Sequence, residues 1–219
     1  MSGINSDLLG WVLHIDTHLA ALISQYHELT YAILAAIVFV ENGVILVPFL
    51  PGDSLIFVCG AFAARGSLEL GFLSLVLIVS SFLGATLNYW IGRWAALRFG
   101  DSKIPFVNLK YVDRTRVYFD KYGAATIIVA RFFPIIRTFA PFFAGLGAMN
   151  SSKFLVYNLI GSVVWVGLFL LSGYFFGAIP WVADNMVEVV MGILVVSVSP
   201  VLGRALFLSR SLSKTRKTR

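Results

Sequence analysis

The chain has 219 residues, of which 58% are hydrophobic and 13% are charged, with a formal net charge of +6. Soluble domains carry about 25% charged residues, so this chain lacks the polar surface that a water-soluble globule needs. The composition excludes a soluble protein and predicts an all-α integral membrane protein that folds as one bundle.

Residues 1–30 predict an amphipathic helix that lies in the membrane interface. Apolar residues recur there at spacings of three and four positions, with acidic residues between them. His14 and His18 share one face of this helix, but no third ligand is near in the sequence. We therefore expect no metal site and no cofactor.

Three later segments have the length of about 20 apolar residues that a spanning helix requires. They are residues 71–91, 154–178 and 188–208. We expect each of them to cross the bilayer once, the last as a C-terminal transmembrane helix.

Two further apolar segments are interrupted midway by charged residues and prolines. The first is residues 31–64, with the interrupting residues Glu41, Pro48, Pro51, Gly52 and Asp53. The second is residues 124–149, with Arg131, Pro134, Arg137 and Pro141. Neither segment fits the pattern of an ordinary spanning helix.

The distribution of basic residues predicts the topology through the positive-inside rule. Residues 92–122 contain seven basic residues and residues 204–219 contain six, so we expect this loop and the tail 209–219 in the cytoplasm. An even number of crossings must separate them, and the last two spans supply two. Segment 124–149 is therefore predicted to be a re-entrant hairpin, bent near residues 134–141, that enters from the cytoplasm.

The first half follows the same logic in the opposite direction. Span 71–91 must run inward, and the arms of segment 31–64, about 17 and 11 residues, are too short to cross. This segment is predicted to be a re-entrant hairpin that enters from the outer face. The halves then form an inverted repeat of hairpin plus span, as in transporters, and FLP at 49–51 resembles FFP at 132–134.

Two acids and two arginines lie at membrane depth in these hairpins, where an ionisable residue is a functional candidate. Burial favours the neutral form of a carboxyl group, so Glu41 and Asp53 are the predicted proton-coupling residues. Arginine stays charged, and its planar fork fits phosphate oxygens, so Arg131 and Arg137 are the predicted phosphate-binding residues. Alternatively, the four charges form buried ion pairs that only hold the hairpins together.

Further residues of the two segments are predicted to support this site. Asn42 and Asn88 either line its cavity or bond a neighbouring helix. The other candidates lie at the breaks: Pro51, Gly52, Pro134 and Thr138. No catalytic residue is predicted, because all histidines lie within the first 30 residues and no nucleophile–base cluster occurs at membrane depth, so we do not expect an enzyme.

These motifs resemble the signatures of the bacterial DedA family, whose domain is also called the VTT or SNARE-associated domain. The first signature is ENG at 41–43 with PFLPGDS at 48–54, and the second is ARFFPIIRT at 130–138 with Pro141 and AG at 144–145. The resemblance extends from about residue 8 to residue 205, and LHID at 13–16 is similar to the namesake subgroup.

The resemblance implies two opposed re-entrant hairpins within one membrane domain, residues 31–205, in the bacterial inner membrane. It also implies roles in envelope integrity and proton-motive force, and for some relatives the transport of undecaprenyl phosphate or a phospholipid. The essential acids and arginines of the family match Glu41, Asp53, Arg131 and Arg137. Many relatives carry an acid where this chain has Ala85, so a proton relay through that position is not expected.

We therefore expect a proton-linked flippase or scramblase of a phosphorylated lipid. Two alternatives stay open: a proton or cation antiporter that maintains the proton-motive force, and a non-transporting scaffold for envelope assembly. Membrane lipids and protons are the expected partners, and nucleic acid is not. A homo-oligomer is possible on this sequence.

Overall fold

The computed structural model describes residues 28–44, 52–99, 124–177, 179–185, 188–189 and 191–192. Its helices are α1 (Glu28–Gly43), α2 (Gly52–Ala64), α3 (Leu70–Phe99), α4 (Thr126–Ala130), α5 (Pro134–Leu146), α6 (Ser151–Phe176) and α7 (Pro180–Asp184). Every regular element in these described ranges is a helix, which agrees with the predicted all-α class.

Several predicted segments lie outside the described residues. They are nearly all of the interfacial helix 1–30, including His14 and His18, most of the loop 92–122, nearly all of the span 188–208, and the tail 209–219. The last three residues of the 1–30 segment belong to α1. Residues 92–99 continue α3, so this helix is eight residues longer at its C-terminal end than the predicted span.

Helices α3 and α6 are long and apolar enough to cross a bilayer. At 1.5 Å per residue, helices of 30 and 26 residues are about 45 and 39 Å long, against a hydrocarbon core of about 30 Å. The 16 residues of α1 and the 13 residues each of α2 and α5 give only about 20–24 Å. These shorter helices have the length expected for arms that turn back within the membrane.

The long helices expose large apolar side chains along one face. On α3 most of them recur every three or four residues, at Phe72, Leu75, Val79, Leu83, Leu87, Trp90, Trp94 and Leu97, with Ile91 next to Trp90. On α6 the exposed residues include Val156, Leu159, Ile160, Val163, Leu168, Leu171 and Phe175. A water-soluble helix carries polar residues on such a face, so this surface is suited to lipid.

The second broken segment bends earlier than the sequence predicted. The break is at residues 131–133, and Pro134 is the first residue of α5, where a missing N–H costs no helical hydrogen bond. Pro141, which we expected to take part in the bend near residues 134–141, lies inside the continuous helix α5. A helix packed within a membrane protein tolerates such a proline because neighbouring groups satisfy the freed backbone.

The helices exchange partners between the two halves of the chain. Each half has two shorter helices followed by a long one, α1–α2–α3 and then α4–α5–α6. Helix α2 of the first half packs most extensively on α6 of the second, and α5 of the second half packs on α3 of the first. The repeated helix order agrees with the predicted internal repeat, and its inverted sense across the membrane stays a prediction.

Pairs of glycines bring the backbones together at both of these crossings. A Cβ atom added to Gly60 or Gly173 would overlap the backbone of the facing helix where α2 crosses α6. The same reciprocal arrangement occurs where α3 crosses α5, at Gly92 and Gly145. Small residues at such crossings permit the close approach on which helix association in lipid depends.

We expect Gly173→Ala to destabilise the detergent-solubilised protein by about 1–3 kcal/mol, the usual cost of overpacking, because the new methyl group would overlap the Phe57 backbone. Gly167→Ala on the same helix is the matched control, since no atom lies within 4 Å of its added Cβ. Thermal unfolding followed by circular dichroism measures both variants. A Gly173→Ala protein as stable as the Gly167→Ala protein would contradict the close crossing.

Candidate functional site

The centre of the candidate site is Arg137, which extends from α5 between an acid of α1 and an acid of α2. Its Nη2 donates a hydrogen bond to Glu41 Oε1, and its Nη1 donates to Asp53 Oδ1 at 2.6 Å. All three side chains are buried. Both halves of the chain therefore meet at this guanidinium.

Trp165 of α6 completes this group, and the sequence analysis did not predict its role. Its indole Nε1 donates to Asp53 Oδ1 at 3.0 Å, and the guanidinium carbon of Arg137 lies 5.0 Å from the ring centroid. A cation over an aromatic face is favourable, most of all when both are desolvated. We call Glu41, Asp53, Arg137 and Trp165 the Arg137 cluster.

The start of α2 is shaped to the carboxylate of Glu41. The backbone N–H of Gly52 donates to Glu41 Oε1 at 3.2 Å. A side chain at position 52 would overlap the Glu41 carboxylate and displace it from this position. Asp53 follows in the first turn of α2, where the helix dipole favours a negative charge.

Arg131 bonds neutral side chains rather than the acids. Its Nη1 donates to Ser81 Oγ at 2.6 Å and its Nη2 donates to Asn158 Oδ1 at 2.5 Å. No acidic side chain contacts it among the described residues, and its Nε has no acceptor there. The physical reason is the break at residues 131–133, which separates Arg131 from α5, the helix that carries Arg137.

Asn158 and Ser81 hold Arg131 between the two long helices. The Asn158 amide donates to Phe82 O and Thr86 Oγ1, both at 3.1 Å, which turns its carbonyl oxygen towards Arg131. The Arg131 side chain lies against Gly161, where an added Cβ would be 2.9 Å from Arg131 Cδ. We call Arg131, Ser81 and Asn158 the Arg131 network.

The predicted supporting asparagines bond backbone groups rather than the charges. Asn88 Nδ2 donates to Thr138 O at 2.6 Å and to Asn42 O at 3.3 Å, so it joins α3 to α5 and α1. Asn42 Nδ2 donates to Val38 O within its own helix. The bonds of Asn88 hold the helices that carry Glu41 and Arg137, which matches the alternative that this asparagine bonds neighbouring helices, whereas the bond of Asn42 stays within α1.

The remaining predicted positions are placed as follows. Pro51 lies outside the described residues, and Pro134 is described as the first residue of α5. Ala85, at the position where the resemblance implies an acid, is buried on α3. Within the described residues, no group of three His, Cys, Asp or Glu side chains could hold a metal ion.

Two signals in the sequence could have revealed the missed residues. Asn158 is a polar residue inside an otherwise apolar span, and such residues bond across helices. Trp165 lies near the middle of α6 (Ser151–Phe176), whereas tryptophan in membrane helices gathers at the interfaces. A tryptophan at mid-span therefore indicates a polar partner inside the protein.

Comparison with known proteins agrees with this architecture. The family model of the VTT domain matches residues 50–175. Protein DedA of Escherichia coli is 44% identical over 88% of this chain and 90% of its own length. An uncharacterized membrane protein of Mycobacterium leprae is 39% identical over 83% of this chain and 82% of its own. The inner membrane protein YqjA of E. coli is 32% identical over 68% and 69%.

The chain therefore belongs to the DedA family of VTT-domain membrane proteins. This confirms the family that the two motifs resembled. No solved structure gives a significant match to the chain.

The unequal surroundings of the arginines predict unequal effects of removing them. Arg137→Met leaves two buried carboxyl groups without their base. It should lower the free energy of unfolding by about 3–5 kcal/mol, as when one partner of a buried ion pair is lost. Arg131→Met leaves only the neutral acceptors of Ser81 and Asn158, at about 1–3 kcal/mol. Thermal unfolding in detergent compares the two variants, and a larger loss for Arg131→Met would contradict the assigned partners.

Proposed function

We propose that this protein is a proton-linked flippase or scramblase of a phosphorylated lipid. The observation that carries the proposal is one buried arginine shared by two carboxyl groups, near a second buried arginine that has no acidic partner among the described residues. Acids that can bind protons and an arginine that lacks an anion supply the two chemistries that such a transporter needs.

Arg131 is the arginine that is ready to bind an anion. Ser81 and Asn158 accept two of its hydrogen bonds, but neutral acceptors leave its positive charge uncompensated. An isolated charge at the centre of a bilayer costs at least about 2.5–3.5 kcal/mol on insertion scales. A phosphate group would supply the missing charge and an acceptor for the unbonded Nε.

Arg137 links phosphate binding to proton binding. Its two terminal nitrogens are occupied by Glu41 and Asp53, so a phosphate oxygen can reach this guanidinium only when a carboxylate releases it. Protonation removes the carboxylate charge and weakens that bond. Proton uptake and phosphate contact therefore occur at the same guanidinium, which couples them.

The site is formed by helices of both halves, so a relative movement of the halves would expose it to one side of the membrane or the other. Glu41 and Asp53 come from the first half, and Arg131, Arg137 and Trp165 come from the second. A movement of one half relative to the other would open the Arg137 cluster, as in alternating access between repeats. We propose that the first hairpin opens outward and the second opens to the cytoplasm.

The resemblance to the DedA family supports undecaprenyl phosphate or a phospholipid as the cargo. Both carry an anionic phosphate on an apolar chain, and the exposed apolar faces of α3 and α6 suit such chains. The second candidate is a proton or cation antiporter. It is favoured by the two carboxyl groups that surround a single arginine.

Reconstituted liposomes test the transported species. A labelled polyprenyl phosphate and a labelled phospholipid should cross the bilayer faster than a neutral glycolipid with the same chains, and an imposed pH gradient should change the rate. Arg131→Gln, Arg137→Gln and Glu41→Gln should slow phosphate-lipid transport about ten- to hundredfold, since a hydrogen bond to a charged group is worth roughly 1.5–3 kcal/mol. Arg65→Gln, at an exposed turn position, is the matched control.

Three results would contradict the lipid cargo. Phosphate-lipid transport that is unchanged in the arginine variants would exclude their role in binding. Proton or cation flux without lipid movement would favour the antiporter. No flux of either kind from well-folded protein would favour the envelope-assembly scaffold, in which the charges only hold the helices together.

The proposed topology has its own test, because the single cysteine, Cys59, is buried and contributes little background to thiol labelling. Ser67, in the turn between α2 and α3, and Ser152, at the start of α6, are both exposed. Ser67→Cys in intact spheroplasts should react with a membrane-impermeant maleimide, and Ser152→Cys should react only after permeabilisation. The reverse pattern would exclude a cytoplasmic loop 92–122.

A further inference from the structure

The Arg137 cluster contains one more acid than it has bases. Glu41 and Asp53 both bond to Arg137, while Arg131 bonds neutral groups elsewhere. The helices packed on α1 bring two charged or titratable groups to Glu41 among the described residues, Asp53 from α2 and Arg137 from α5. With both acids ionised the buried cluster would hold an excess negative charge, which is costly at membrane depth. A proton on one of the two carboxyl groups would remove this excess charge.

The surroundings of Asp53 favour its ionised form. Its Oδ1 accepts hydrogen bonds from both Arg137 Nη1 at 2.6 Å and Trp165 Nε1 at 3.0 Å. Its side chain is 10% exposed, and it lies in the first turn of α2, at the positive end of the helix dipole. Each of these features stabilises a carboxylate.

The surroundings of Glu41 favour its neutral form. Its side chain is 0% exposed, and its Oε2 has no hydrogen-bond partner among the described residues. Glu41 also lies in the last turn of α1 (Glu28–Gly43), where the helix dipole disfavours a negative charge. The backbone N–H of Gly52 donates to Glu41 Oε1 at 3.2 Å, but Glu41 lacks the second side-chain donor and the partial exposure of Asp53. The two acids thus bind the same guanidinium in unequal electrostatic environments.

We propose that Glu41 is the acid that binds and releases the proton, while Asp53 stays ionised as the permanent counter-ion of Arg137. Trp165 acts as a positioning residue that holds Asp53 in this state through its Nε1–H. A proton from solvent binds the free Oε2 of Glu41, the bond from Arg137 Nη2 weakens, and that nitrogen becomes available to a phosphate oxygen. The last step rests on the proposed function, whereas the assignment of the proton does not.

Infrared difference spectroscopy of the purified protein in lipid nanodiscs tests the assignment without any transport. A protonated buried carboxyl group gives a C=O stretching band that disappears as the pH is raised. We expect this band in the wild type and its loss in Glu41→Gln. In Asp53→Asn the band should persist at acidic pH but disappear at a lower pH than in the wild type, because that variant removes the second negative charge beside Glu41. Glu69→Gln, which removes an exposed acid at the start of α3, is the control and should leave the band unchanged.

Loss of the band in Asp53→Asn with retention in Glu41→Gln would overturn the proposal, as would the absence of a titrating band in the wild type.

Trp165→Phe provides a test that spares both acids. It removes the indole donor and keeps an aromatic ring beneath Arg137, so the carboxylate stretching band of Asp53 should shift while the C=O band of Glu41 is retained. A spectrum identical to that of the wild type would overturn the role of Trp165. Failure of lipid transport with these spectra intact would count against the cargo alone.

Discussion

A guanidinium bonded by two carboxyl groups and covered by an indole can lie inside a membrane only if all four groups reach one point. In this protein four helices meet that condition, with Glu41 on α1, Asp53 on α2, Arg137 on α5 and Trp165 on α6. A charge that lost its partners here would be exposed to a medium that cannot solvate it. The positions of these helices relative to one another are therefore tied to the chemistry of a single side chain.

The breaks in the hydrophobic segments follow from that condition. In a continuous helix the relative positions of Arg131 and Arg137 would be fixed, whereas the break at residues 131–133 lets them reach different partners. The end of α1 and the start of α2 likewise bring Glu41 and Asp53 to one guanidinium from helix ends of opposite polarity. Close crossings at the glycine pairs then bring the helices near enough for short side chains such as Asp53 to bond across the halves.

Much of this arrangement can be predicted from the sequence, because charge and proline are rare in apolar segments and mark the departures from a spanning helix. The four ionisable residues and the order of short and long helices were predicted in this way, whereas the helix start at Pro134 was not, since the bend was expected near residues 134–141. Which arginine pairs with the acids was not predicted, since hydropathy does not show which side of a break an arginine faces. Pro141 was misread as part of the bend because packing against neighbouring helices, which keeps α5 continuous, leaves no local signal. Trp165 was missed because a tryptophan near the middle of a span does not by itself show which residue of another helix is its polar partner.

The distance along the chain between Arg137 and its acids has a consequence for biosynthesis. Asp53 precedes Arg137 by 84 residues and Glu41 precedes it by 96, so at about 5–20 residues per second the acids wait roughly 5–20 s for the arginine. Helix α2 also lacks its main packing partner, α6, during that interval. The first half must therefore remain near the insertion machinery, with its acids neutral or in contact with water. A nascent chain released before residue 137 leaves both carboxyl groups without their base, which is the kind of defect that membrane quality control can recognise.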